Sequence, residues 1–130
     1  MKPATAKATL RVLLVEDSPR IAERMRDIVE SEASAKVVHI ADDETGAIVA
    51  VREHEADVLI LDLQLRRGNG FNVIRALGAA CPTTIIMSSY ALPMYRARAK
   101  ELGVEYFLDK SVDFDRLVGI LAEIDERRVS

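Results

Sequence analysis

A chain of 130 residues with 49% apolar content can bury one compact core but not two. Its net charge of -3 excludes a general nucleic-acid binder, and its short apolar runs fall far below the length of a membrane span. The single cysteine, Cys81, cannot close an internal disulfide and fits a reducing, cytoplasmic compartment.

Met1–Thr9 lacks the apolar core of a signal peptide and is expected as a tail, with a domain over residues 10–126 and a second tail over 127–130. Val12–Val15 is a short β-branched run and predicts the first strand. Ser18 as N-cap and Pro19 at the first helical position then open a helix with Ile21, Met25, Ile28 and Val29 on one face. Val37–Ile40 predicts a second strand. Asp42 and Asp43 lead into a helix from about Glu44 to His54, with Ala47, Ile48 and Val51 inward. Val58–Leu61 is apolar without alternation, as a strand buried on both faces should be. The helix after it carries Phe71, Ile74 and Leu77 and stops at Gly78. Thr84–Met87 predicts a fourth strand, and Leu92, Tyr95, Ala99 and Leu102 line the helix that ends before Gly103. Tyr106–Leu108 predicts the fifth strand, followed by a helix with Phe114, Leu117, Val118, Leu121 and Ile124.

Five successive strand–helix units imply an α/β fold, a doubly wound parallel sheet with helices on both faces. Ligands in such sheets collect beyond the carboxyl ends of the strands. The residues there are Glu16 and Asp17 after strand one, Asp62 after strand three, Ser88 and Ser89 after strand four, and Asp109 and Lys110 after strand five. Clustered carboxylates repel unless a cation neutralises them, and hard oxygen ligands with open positions suit Mg2+. Carboxylate, Mg2+ and lysine together handle phosphoryl groups. Each member alone has an ordinary reading: a helix-capping acid for Glu16–Asp17, loop hydroxyls for Ser88–Ser89, a surface lysine for Lys110. Only their joint placement points to chemistry. His39 and His54 have no ligand-like spacing, and Arg96, Arg98 and Lys100 read either as the solvated side of the fourth helix or as a contact for an acidic partner. Met94 and Tyr95 read either as a docking patch or as core. Arg66 and Arg67 either meet a kinase or shield loop charge.

Four segments in order, V-E-D-S at Val15–Ser18, L-D-L-Q-L-R-R-G-N-G at Leu61–Gly70, I-I-M-S-S-Y at Ile85–Tyr90 and F-L-D-K at Phe107–Lys110, resemble the receiver domains of two-component response regulators. The resemblance covers about Leu10 to Ile124 and implies a flavodoxin-like (βα)5 fold with strand order 2-1-3-4-5. It implies Asp62 as phospho-acceptor, and Mg2+ held by Asp17, Glu16, Asp62 and the backbone carbonyl of Gln64. Ser88 and Lys110 would bind the phosphoryl oxygens, Phe107 would be the switching aromatic, and Gly70 would be the loop glycine. The implied partners are a sensor histidine kinase or histidine phosphotransfer protein and a downstream protein. The downstream protein would dock on the face of the fourth helix, fifth strand and fifth helix, and phosphorylation would be able to drive dimerisation. Direct nucleic-acid or membrane contact is not expected.

Ser111 stands where receivers usually place a cis proline, so a trans bond after Lys110 is expected and the reach of Lys110 is open to change. Gln64 and Tyr90 would project near the site and alter water access. The expected function is a stand-alone phospho-switch that is not a turnover enzyme. The alternatives are a fragment of a longer regulator with a DNA-binding or enzymatic output domain, a pseudo-receiver, a flavin binder, or an Asp-nucleophile phosphohydrolase. Gln64 stands against the phosphohydrolase, which would need a second aspartate there. Glu16–Asp17 stands against the flavin binder, whose phosphate it would repel.

Overall fold

The computed structural model describes residues 8–32, 34–89 and 91–128. Five strands, β1 (Leu10–Val15), β2 (Ala35–Ala41), β3 (Val58–Leu61), β4 (Thr83–Ser88) and β5 (Tyr106–Asp109), pair in parallel in the order β2-β1-β3-β4-β5. Five helices alternate with them: α1 (Pro19–Glu30), α2 (Glu44–His54), α3 (Gly70–Leu77), α4 (Pro93–Glu101) and α5 (Arg116–Arg127). This is the flavodoxin-like (βα)5 fold, with β1 and β3 flanking the point where strand order reverses.

Period-two alternation explains the two-sided core. Leu10, Val12 and Leu14 of β1 point into one apolar cluster with Met25 and Val29 of α1 and Leu117, Leu121 and Ile124 of α5. Leu13 and Val15 point the other way, onto Ala47 and Val51 of α2, Val73 and Leu77 of α3 and Ala99 of α4. All four residues of β3 are buried, as its unalternating V-L-I-L predicts. At ~1.5–3 kcal/mol for each large side chain removed from water, that strand alone anchors the site that follows it.

The helix ends follow the sequence in most places. The Ser18 side chain caps α1 ahead of Pro19, Asp43 caps α2, and Gly78 ends α3. Two expectations need correction. Leu92 does not face the core: it is the residue before α4 and is 49% exposed, because Pro93 starts the helix and leaves Leu92 outside it. Phe114 lies ahead of α5 in a turn, because Asp109 accepts from Ser111 and Asp113 accepts from the Asp109 amide, delaying the helix to Arg116. No helix among the described residues is long and apolar enough to cross a membrane.

Candidate functional site

Ladder hydrogen bonds run one residue past the strand ends and fix the chemistry-bearing residues. Glu16 N–H donates to the Ala41 carbonyl at 2.9 Å, Asp62 N–H to Val15 at 3.0 Å, and Lys110 N–H to Ser88 at 3.0 Å. Each side chain therefore leaves a rigid strand end and not a loose loop. Glu16, Asp17 and Asp62 meet there, with one carboxylate oxygen from each within 4.8 Å of the others. Lys110 reaches in from β5, its Nζ 2.9 Å from Asp62 Oδ2 and paired also with Glu16 Oε1. The side chains of Glu16, Asp62 and Lys110 are only 1%, 7% and 9% exposed.

That burial sets the electrostatics. Two ionised carboxylates at such a separation repel by about 3.5 kcal/mol at an effective dielectric of roughly 20. Burial pushes the Glu16 carboxyl above its usual range, and the Asp62 charge adds to the rise. Bonds from Lys110 and the Ser18 amide offset this only in part. Burial alone would lower the Lys110 ammonium, but its bonds to Glu16 and Asp62 outweigh that and hold its pKa above the ordinary lysine value. Lys110 is therefore the site's fixed cation, and one ammonium does not balance three carboxylates. An all-oxygen, partly solvated donor set with surplus negative charge fits a hard divalent cation.

The segment after β3 wraps this cluster. Gln64 N–H donates to Asp62 Oδ1 at 3.2 Å, Gln64 bridges to Asn69, and Gly70 N–H donates to Leu63 O at 3.0 Å. A Cβ on Gly70 would lie 2.6 Å from the Asp62 carbonyl, so only glycine permits this close approach. Ser88 is fully buried at the end of β4, opposite Asp109 of β5. Together with Gln64 and Leu63 it lines a groove of about 620 Å³ between α3 and α4, walled by Phe71, Tyr95 and Met94. The peptide bond after Lys110 is trans, and the lysine reaches the carboxylates with Ser111 in place. Tyr90 lies outside the described residues.

Phe107 stands apart from the carboxylates, half-buried on the α4 side. The Arg96 guanidinium lies 4.8 Å from its ring centroid and donates to its carbonyl at 3.2 Å. Arg96 lies on the solvated side of its helix, as expected, and from there its long side chain reaches this strand aromatic. Tyr95 is half-buried against the core, while Met94 is 68% exposed. Arg66 pairs with Asp42 at 3.6 Å, an exposed contact of little energetic worth. His39 and His54 stack with ring centroids 4.6 Å apart and planes 17° apart. The in-plane lone pairs of rings stacked in this way do not converge on one ion. Sequence reasoning missed Glu44, whose carboxylate accepts from Asn69 N–H and from Asn72 Nδ2, each at 3.1 Å.

A five-stranded parallel sheet of this order, with acids and a lysine gathered beyond its carboxyl edge, defines a doubly wound α/β domain with its candidate site at the switch point of strand order. The family model for the response regulator receiver domain matches residues 12–122, and the chain belongs to that family. Among curated relatives, it is 31% identical over 107 residues to a protein-glutamate methylesterase/protein-glutamine glutaminase 1 of Myxococcus xanthus, and 34% identical over 97 residues to the corresponding protein of Pyrococcus abyssi. These matches cover 82% and 75% of this chain but only 31% and 26% of the relatives' own lengths. Among solved structures, the response regulator domain of Thermotoga maritima CheB superposes with a TM-score of 0.79 at 27% identity, covering 91% of this chain and 95% of that one. A LuxR-family two-component response regulator from an Aurantimonas species gives 0.82 at 28%, covering 92% and 87%.

Proposed function

We propose that Asp62 is the phospho-acceptor of this receiver domain. The observation that carries the reading is the Asp62 carboxylate itself, buried at a strand end, 2.9 Å from the Lys110 ammonium and clustered with Glu16 and Asp17. An Asp62 oxygen attacks the phosphorus of a phosphohistidine on a sensor kinase or phosphotransfer protein. The P–N bond breaks, and the imidazole leaves and takes up a proton. Glu16, Asp17, Asp62 and the Gln64 carbonyl would hold Mg2+, which supplies the positive charge that lets a dianionic group approach three carboxylates. Lys110 exchanges its bond to Asp62 for one to a phosphoryl oxygen. Ser88 supplies a hydroxyl to another, which draws the segment after β4 inward and lets Phe107 repack. A local charge change thereby biases a two-state element. The signal would leave through the α4-β5-α5 face to a protein partner in the cytoplasm, as a switch and not as a turnover enzyme.

Two contexts fit this chemistry. One is a stand-alone switch. The other is the receiver portion of a longer regulator, favoured by the relatives of which this chain spans about a quarter to a third. The natural length of the protein in cell extract separates them. The phospho-acceptor assignment is tested by intact-mass measurement after incubation with acetyl phosphate and Mg2+. The wild type should gain one phosphate and Asp62→Asn none. An unmodified wild type beside a competent control receiver would sink the assignment.

A further inference from the structure

We propose that Glu44 is a positioning residue for the metal side of the site, acting through the loop over residues 63–69. The inference rests on the reading of the acidic cluster as a divalent-cation site and extends it to a residue on a different helix. Glu44 opens α2, where an acid would ordinarily serve the helix dipole. The side-chain cap of that helix comes from its neighbour, since the Asp43 side chain accepts from Gly46 N–H at 2.7 Å. The Glu44 carboxylate is aimed elsewhere. One oxygen accepts both the Asn69 amide and the Asn72 side chain, and the Glu44 amide donates to the Arg67 carbonyl at 3.0 Å.

Gly68 records how closely the loop is drawn onto this side chain. Its φ is +89°, and a Cβ there would meet Glu44 atoms at 2.3 to 2.9 Å. From Asn69 the chain of contacts continues through the bridge to Gln64, whose amide donates to Asp62 Oδ1. Asn69 and Gln64 sit opposite each other as one backbone pair, closed by the Gly70 N–H bond to the Leu63 carbonyl, and that pair separates the Glu44 carboxylate from Asp62. Folding fixes this loop in advance, so the cation that binds Gln64 and Asp62 does not have to order it. Losing the clamp moves that entropic cost onto metal binding, and supporting residues of this kind typically govern metal affinity about 10-fold or more. Because Glu44 acts at one remove, the expected change is about five- to tenfold.

The test is Mg2+ titration of the full chain by calorimetry, with amide hydrogen exchange at Asn69 and Gln64 and thermal unfolding without Mg2+ as companions. Glu44→Ala should weaken Mg2+ binding about five- to tenfold and speed exchange at Asn69. Glu44→Gln keeps an acceptor oxygen at the same reach and should stay within about twofold of the wild type, whereas Glu44→Met, of similar size but without that acceptor, should weaken binding as Glu44→Ala does, a split that a general packing role would not produce. Should Glu44→Ala fail to fold, Glu44→Asp, one methylene shorter, carries the same expectation. Faster exchange at Asn69 with unchanged Mg2+ affinity overturns the positioning role and leaves the phospho-acceptor reading intact. A wild type that binds no Mg2+ overturns both.

Discussion

The two helices that begin beside the site are started in opposite ways. At α3 the Asn69 side chain accepts from Asn72 N–H at 3.0 Å, Glu44 braces both residues, and Gly70 and three further residues of the helix are buried. At α4 Leu92 offers no side-chain cap, Ala99 is the one helix residue fully buried, and Leu92 and Met94 stand 49% and 68% exposed. Fewer satisfied amides and less buried apolar area mean a lower cost of local rearrangement. The contrast matches the division of labour proposed above. The side that would hold the cation is built in advance, while the side fed by Ser88 is left cheap to move.

The largest effect should come from removing the cation that makes the built side tolerable. Lys110→Met leaves three clustered carboxylates without their ammonium and should cost about 3 kcal/mol at neutral pH without divalent cations. Urea unfolding measures it. The Glu16 carboxyl titrates above 4.5 in the folded protein, so ionised Glu16 erodes stability as pH rises from 4.5 through the folded value. The deficit of Lys110→Met should therefore narrow as pH falls back through that window. The Lys110 pKa is raised above 10.5, so its stabilising contribution is complete below 10.5 and lost as pH rises through the folded value. The wild type should lose that contribution in alkali, and Lys110→Met has none of it to lose. Equal stabilities at pH 7 would break the account of the site as a charge-balanced cluster.

A smaller effect tests the brace. Gly68→Ala places a Cβ against Glu44 at a φ of +89° and should destabilise by about 2 kcal/mol. Removing the Glu44 carboxylate should relieve only part of this. The Glu44 Cβ, 2.5 Å from the added carbon, and the backbone conformation both remain. Full relief in the double variant would reduce the brace to a simple clash, and no relief would separate Gly68 from Glu44 altogether.

What could be read in the sequence follows from the range of the interactions involved. The unalternating V-L-I-L of β3, the Ser18–Pro19 start of α1 and the Gly78 stop of α3 are local signals and appear where expected. Asp62, Glu16 and Lys110 were legible because parallel strands carry the residues after them to one edge, whatever the intervening sequence. Glu44 was not legible. Its partners lie 25 and 28 residues away, and at the start of α2 an acid looks like a dipole partner. The Arg96–Phe107 contact was not legible for a similar reason: helical spacing places Arg96 on the solvated face of α4, where it lies, but cannot show that a strand aromatic is within reach of a long cation. Leu92 misled because apolar periodicity continues one residue past the proline that starts the helix.

The smallest change sharpens the comparison at its weaker end. Leu92 already has the extended backbone of an N-cap, φ -75° and ψ 150°, and its carbonyl accepts from Tyr95 and Arg96. It lacks only a side-chain acceptor. Leu92→Asp supplies one for the next free amide, places a negative charge at the positive end of the helix, and gives up little buried area. The gain should be about 0.5–1 kcal/mol in urea unfolding. Pro93 has no amide to satisfy and the Tyr95 amide already reaches the Leu92 carbonyl, so the benefit must come from the Met94 amide and the charge. A variant no more stable than the wild type would mean that amide is already satisfied. The start of α4 would then be no looser than that of α3, and its mobility would need a different physical source.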